Sequence, residues 1–223
     1  MPSRVSFLSS TVGTKILIAI TGLAMFVFLI AHMAANLLLF VGPDAYNGYS
    51  HALISNPAIY LAEAVLVGVF AVHVFKAATN WFANRSARPQ AYVKKEWAGH
   101  TSRKTVASTS MIYTGVVIFV FTLLHLVTFK FGPWYETTLH GQPVRDLYRL
   151  VVEVFQRPAY VVGYTVVMAL VLLHLRHGVS SAFQSLGWSH PRYNRLIVGA
   201  GYAFAVLIGV GFALPPIWIF LTK

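Results

Sequence analysis

"TGLAMFVFLIAH" (residues 21–32) is apolar throughout until it ends on a histidine. Between Lys15 and Asp44 the chain has no Asp, Glu, Lys or Arg, so His32 is the one residue there able to ionise near neutral pH. A run of that kind exceeds the ~20 residues needed to cross a bilayer. An imidazole inside it is costly, and such groups face the bundle interior and carry function. The pattern returns as "TGVVIFVFTLLH" (114–125), with Thr-Gly, Phe-Val-Phe and the final His in register. In "LLHLRHGVSSAFQSLGWSHPRYNR" (172–195), His174 again sits in membrane-grade sequence, just before a basic loop.

Working outward, only 10% of the 223 residues are charged and 57% are hydrophobic. A soluble domain carries about 25% charged residues. The expected fold is therefore an all-α membrane protein forming a single membrane domain over 1–223. Apolar runs long enough to span fall at about 14–41, 58–83, 105–130, 158–183 and 195–221. "MPSRVSFLSSTVGTK" leads into a run longer than a signal-peptide core and reads as a retained first helix.

Arg4, Lys15, Arg85, Arg88, Lys94, Lys95, Arg103, Lys104, Arg192 and Arg195 fall on one side, against a single acid, Glu96. Lys130, Arg145, Arg149, Arg157 and Lys223 share the other side with Asp44, Glu136, Asp146 and Glu153. The positive-inside rule then puts the N-terminus in the cytoplasm and the C-terminus outside. It also accounts for the net charge of +11. No basic patch is interleaved with aromatics in the manner of a nucleic-acid surface. The absence of cysteine excludes disulfides, thiolate metal sites, iron–sulfur clusters held by this chain and covalent haem attachment. In the outer segment, "RDLYRLVVEVFQ" (145–156) has apolar residues at helical spacing and predicts a short interfacial helix. That helix either caps the bundle or offers a lipid or partner site.

Of nine histidines, His51, His100, His140 and His190 fall in predicted loops, and His177 lies one turn from His174. His32, His73, His125 and His174 remain, one on each of four successive spans. The first and third spans run outward, with His32 and His125 nine and five residues before their outer ends. The second and fourth run inward, with His73 and His174 ten and nine residues before their inner ends. At about 1.5 Å per residue this makes two layers, His32/His125 outside and His73/His174 inside. Two imidazoles facing each other can supply both axial ligands of a b-type haem. Four of the five helices would thus form a haem-binding bundle. Zinc or copper would want ligands clustered at one depth, commonly with carboxylates or thiols.

Gly22 and Gly115 lie ten residues inward of their histidines, near the inner layer. Each either admits a flat macrocycle or lets two helices approach closely. Lys76 and Arg176 either meet haem propionates or snorkel to the interface. The fifth span, with "VGAGYAFAVLIGVG" (198–211) and no histidine, is assigned to packing. A secondary transporter would place ionisable groups beside interrupted helices, whereas Glu63 is the only membrane carboxylate and no span is broken by proline at mid-depth.

On these residues the chain resembles the dihaem cytochrome b membrane anchor of succinate:quinone oxidoreductases and fumarate reductases, the type with one five-helix subunit. The resemblance runs over nearly the whole chain. It rests on "HMAANLLLFVGPDAYNGYSHAL" (32–53), "TSRKTVASTSMIYTG" (101–115), "HLVTFK" (125–130), "HLRHGVSSAFQSLG" (174–187) and "HPRYNR" (190–195). It implies that His32, His73, His125 and His174 ligate two haem b irons. It further implies a flavoprotein subunit with FAD and an iron–sulfur subunit on the cytoplasmic face of a bacterial inner membrane. The succinate or fumarate active site then lies on a partner, and electrons pass to or from membrane quinone, commonly menaquinone. The other redox family of this size, the dihaem gamma-type subunits, places two ligands on one helix, and no span here has histidines so spaced. For quinone, Glu63 is a candidate, about five residues into the second span with no basic residue in its helix turn. An unpaired carboxyl there suits proton exchange, while the alternative is a bond to Tyr46 or His51. An inner-face site near Arg176 and His177 competes with it.

Overall fold

The computed structural model describes residue 7 and residues 10–87 and 106–223. Among these, five helical segments are long and apolar enough to cross a membrane: Thr11–Phe40, Ala58–Ser86, Val106–Lys130, Pro158–Ser185 and Asn194–Thr222. They coincide with the five predicted spans. Helices are the only open-ended elements that satisfy every backbone group within lipid, so apolar length fixes both their number and type. In chain order the helices are α1 (Thr11–Asn36), α2 (Pro43–Ile54), α3 (Ala58–Ser86), α4 (Val106–His125), α5 (Leu147–Phe155), α6 (Pro158–Ser185) and α7 (Asn194–Thr222). The Ser10 side chain caps α1 by accepting from the Gly13 amide. A 3₁₀ turn, Leu37–Phe40, extends α1. A π-helical turn, Leu126–Lys130, extends α4 directly after His125, with the Phe131 amide donating to the Leu126 carbonyl at 2.9 Å.

α7 packs along α6 and more lightly on α1. Ile208, Gly209 and Gly211 are buried in that seam. A Cβ added at Gly209 would stand 3.0 Å from Leu172 Cβ and 3.3 Å from the Met168 carbonyl, so the two backbones meet where a side chain is missing. The assignment of this helix to packing agrees with that. α3, in contrast, has no fully buried residue along its 29 positions.

The end of the bundle that carries α2 and α5, expected from the charge bias to be the outer one, is more ordered than the sequence suggested. α5 buries Leu150, Val151, Val154 and Phe155 against Leu39, Tyr46, Val161 and Ile219, so it caps the bundle. His51, expected in a loop, lies in the last turn of α2. The start signs of that helix were present: Gly42 at φ +134°, Pro43 at the first position and Asp44 in the first turn. A second unpredicted element is the antiparallel hairpin β1 (Glu136–Leu139) and β2 (Gln142–Arg145), in register Glu136↔Arg145 through Leu139↔Gln142. His140 and Gly141 form its turn at φ +51° and +79°, matching the two positive φ values such a loop requires.

Buried Asn47 joins these pieces: its amide donates to Asp146 Oδ1 at 2.8 Å, and its Oδ1 accepts from the Tyr148 amide at 2.9 Å. Asp146 also accepts from the Arg149 amide as the N-cap of α5. Glu153 accepts from Arg149 and Tyr135, and these bonds hold its carboxyl below the usual carboxylate range. Asn47→Ala leaves the Tyr148 amide without its partner and removes one of two bonds to Asp146 Oδ1, the stranded amide costing about 1–3 kcal/mol. The expected result is a lower unfolding midpoint in detergent with spans intact by circular dichroism; an unchanged midpoint would show that the cap does not stabilise the bundle.

Candidate functional site

α1, α3, α4 and α6 form a ring. α1 lies against α3 and α6, while α4 lies against α6 and lightly against α3. Its diagonals are α1/α4 and α3/α6. His32 and His125 occupy the first diagonal, His73 and His174 the second. Each imidazole is half-buried, and the members of each pair stand within electrostatic reach of one another. Among the described residues, no three His, Cys, Asp or Glu side chains cluster to hold a metal ion. Two-by-two ligation, with each pair reaching across the ring, is the arrangement the histidines offer.

In the outer layer the His32 and His125 ring centroids are 5.9 Å apart with planes at 88°. Two metal–imidazole bonds of about 2 Å and two ring radii of about 1 Å span about 6 Å, so one iron between the rings fits that separation. Phe28 stacks on His32 at 5.3 Å and Phe121 on His125 at 5.8 Å. These phenylalanines occupy matching positions of the repeat, four residues before each histidine, which is one helical turn. Phe212 and Phe129 close the sides at 5.6 and 5.3 Å. The Tyr164 hydroxyl is 3.2 Å from His125 Nδ1. Asn36 donates to the His32 carbonyl at 2.8 Å, and its amide nitrogen lies 3.5 Å from His32 Nε2, the outer limit of a hydrogen bond. The buried hydroxyl of Thr165, beside Tyr164 on α6, has no protein partner.

In the inner layer the repeat acts on neighbouring helices. Thr21 Oγ1 is 3.1 Å from His73 Nδ1, and Thr114 Oγ1 is 3.0 Å from His174 Nδ1. Gly22 and Gly115 adjoin them. A Cβ at Gly22 would stand 3.2 Å from His73 Cε1, and one at Gly115 3.6 Å from His174 Cε1. The notch over each glycine thus receives the imidazole of the adjacent inward helix, a use that neither sequence reading of these glycines anticipated. The hairpin α1/α3 and the pair α4/α6 repeat the same construction. Each outward helix supplies an outer histidine, the phenylalanine stacked on it, and a Thr-Gly for the inner histidine next door.

Other predicted residues are more scattered. The Arg176 guanidinium lies over the Tyr202 ring at 5.3 Å, on the side of α6 that faces α7. His177 is half-buried one turn inward of His174, and its carbonyl accepts from Ser180. Lys76 is half-buried on α3. Two turns inward of His73 and His174 lie Asn80 and Ser181. With Lys15, Ile18, Gln184 and Ser185 they line a crevice of about 400 Å³, which sequence reasoning missed.

The expectation of an unpaired Glu63 does not hold, because its carboxylate accepts from the Lys130 ammonium. The two residues come from different helices and are 67 positions apart, so inspection of one helix turn could not find the pair. Tyr46 and His51 are engaged elsewhere, with Asn36 and Ser55. His100, and the inner loop 84–104 beyond residue 87, lie outside the described residues. Compared with known proteins, the chain matches no family model, no curated protein and no solved structure.

Proposed function

We propose that this chain is the membrane anchor and electron-transfer subunit of a succinate:quinone oxidoreductase or fumarate reductase, holding two bis-histidine b haems. The observation that carries the reading is the pairing of four histidines on the two diagonals of one helix ring, at two depths. The 5.9 Å separation of the outer rings leaves room for one metal held by two imidazoles, and two such pairs at two levels suit a group that takes two axial ligands. Haem bound there supplies one-electron redox chemistry at two levels about 15 Å apart along the bundle.

The chain's own residues do the rest. Four imidazoles stand on the two diagonals, one from each helix of the ring. Phe28, Phe121, Phe129 and Phe212 wrap the outer pair and keep water from it. Lys15, Asn80 and Ser181 offer polar groups inward of the inner pair for the acidic edge of a haem; Arg176, turned toward Tyr202, is a weaker choice. With no cysteine in this chain, the iron–sulfur clusters of such a complex belong to a partner, an iron–sulfur subunit beside an FAD-bearing flavoprotein. By the charge bias these dock on the cytoplasmic face, against residues 184–194 and the basic loop 84–104. Membrane quinone, with menaquinone favoured, meets the level of Glu63 and Lys130, where a carboxylate and an ammonium from two helices stand together at the rim.

Pyridine haemochrome analysis of the purified protein should give close to two haems b per chain. A ratio near one would remove one pair from the scheme, and a colourless protein would end the reading. Crosslinks from an iron–sulfur partner to the outer loop 131–157 would reverse the topology.

A further inference from the structure

The geometry points to Thr21 and Thr114 as positioning residues that fix the tautomer of the inner histidines and thereby set the electronic character of the inner haem; this rests on the haem reading above. A threonine hydroxyl has one proton and two lone pairs. The Thr21 proton is committed to its own helix, donated to the Leu17 carbonyl at 2.6 Å. Thr114 likewise donates to the Ser110 and Met111 carbonyls, at 3.2 and 3.1 Å. With that proton turned to a helix carbonyl, each oxygen offers a lone pair to the imidazole. The hydrogen then sits on Nδ1 of His73 and of His174, at 3.1 and 3.0 Å. A neutral imidazole protonated at Nδ1 carries its lone pair on Nε2, the ligating nitrogen.

Both threonines are buried, at 8% and 3% exposure, so water does not compete for the bond. Gly22 lets the His73 ring come this close, since a Cβ there would stand 3.2 Å from its Cε1. The outer pair is held by other groups: His125 Nδ1 meets the Tyr164 hydroxyl, and His32 stands beside Asn36, so neither outer histidine bonds to a threonine. A second-shell acceptor makes a ligating imidazole more basic, which favours ferric over ferrous iron. Thr21 and Thr114 thus hold the inner haem at a lower potential than its imidazoles alone would give, without touching the outer one.

The test uses full-length Thr21→Val and Thr114→Val, which keep shape and remove the hydroxyl, beside Thr21→Ser and Thr114→Ser, which keep it. Spectrally resolved redox titration and low-temperature electron paramagnetic resonance are read for each haem, with haem content measured in parallel. The valine variants should raise the inner potential, shift its low-spin signal and loosen that haem about 10–100-fold. The outer haem stays as in wild type, and serine restores both properties. Valine variants with an unchanged inner potential and spectrum, in a protein that holds two haems, overturn the role of the threonines while leaving the haem reading intact. Serine variants that shift as far as valine overturn it too, since packing would then be the cause. If valine expels the inner haem outright, serine decides: retention at wild-type potential supports the role and loss overturns it. A wild type without haem overturns both proposals.

Discussion

His32→Ala and His125→Ala are each expected to remove the same haem, and His73→Ala and His174→Ala the other. In every case the haem-to-protein ratio should fall from near two to near one. The expectation follows from the diagonals: each pair reaches across the ring, and among the described residues only His177, one turn from His174, offers a second histidine near either level. The effect is large because a single imidazole cannot supply both axial positions. Reduced-minus-oxidised spectra and redox titration of the four variants should fall into two matching sets. Two different haems lost from His32→Ala and His125→Ala would break the layer scheme. His177→Ala is the control on α6. Its position one turn from His174 makes it the one competing ligand, and loss of the inner haem there would move the assignment to His177. The bond from Thr114 to His174 argues for His174.

Glu63→Gln is expected to reduce quinone-linked turnover by about 10²–10⁴-fold, the range for losing a positioned proton acceptor. Both haems and succinate oxidation with an artificial acceptor should survive. Glutamine keeps the shape and can still meet Lys130, but it cannot hold a titrating proton. The pair sits at the rim, with side chains 40% and 42% exposed, where an ion pair contributes about 0–1 kcal/mol. Neither Glu63→Gln nor Lys130→Met should therefore unfold the protein, and a turnover defect can be assigned to chemistry. Lys130→Met should impair quinone turnover less than Glu63→Gln, since the carboxylate remains. Wild-type quinone turnover in Glu63→Gln would leave the pair as a structural tie between α3 and the π turn after α4, and would move the search to the inner crevice around Lys15 and Asn80.

The five spans were legible because crossing a bilayer depends on apolar length within one segment, and a segment's length is written in the sequence. The reading of 58–83 became Ala58–Ser86, and that of 195–221 became Asn194–Thr222. Depth is read on the same ground: with a fixed rise per residue, counting from the ends of each span puts His32 and His125, whose rings stand 5.9 Å apart, at one level and His73 and His174 at another. The α5 cap was visible because its apolar face follows one helical period through Leu147, Leu150, Val151 and Val154. Other features needed three dimensions. That the histidine pairs lie on diagonals depends on which helix packs on which, and lipid-facing and partner-facing sides are equally apolar in a spanning helix. The Glu63–Lys130 pair joins two helices through a π turn that has no compositional mark. Asn47, 99 residues from Asp146, acquires its partner only when α2 and α5 meet. The repeat exposed Thr21 and Thr114 as sequence, but their bonds run to α3 and α6, whose histidines lie 52 and 60 residues away. A hydrogen bond is set by distances of tenths of an ångström between neighbouring helices, and only their packing brought each hydroxyl to an imidazole.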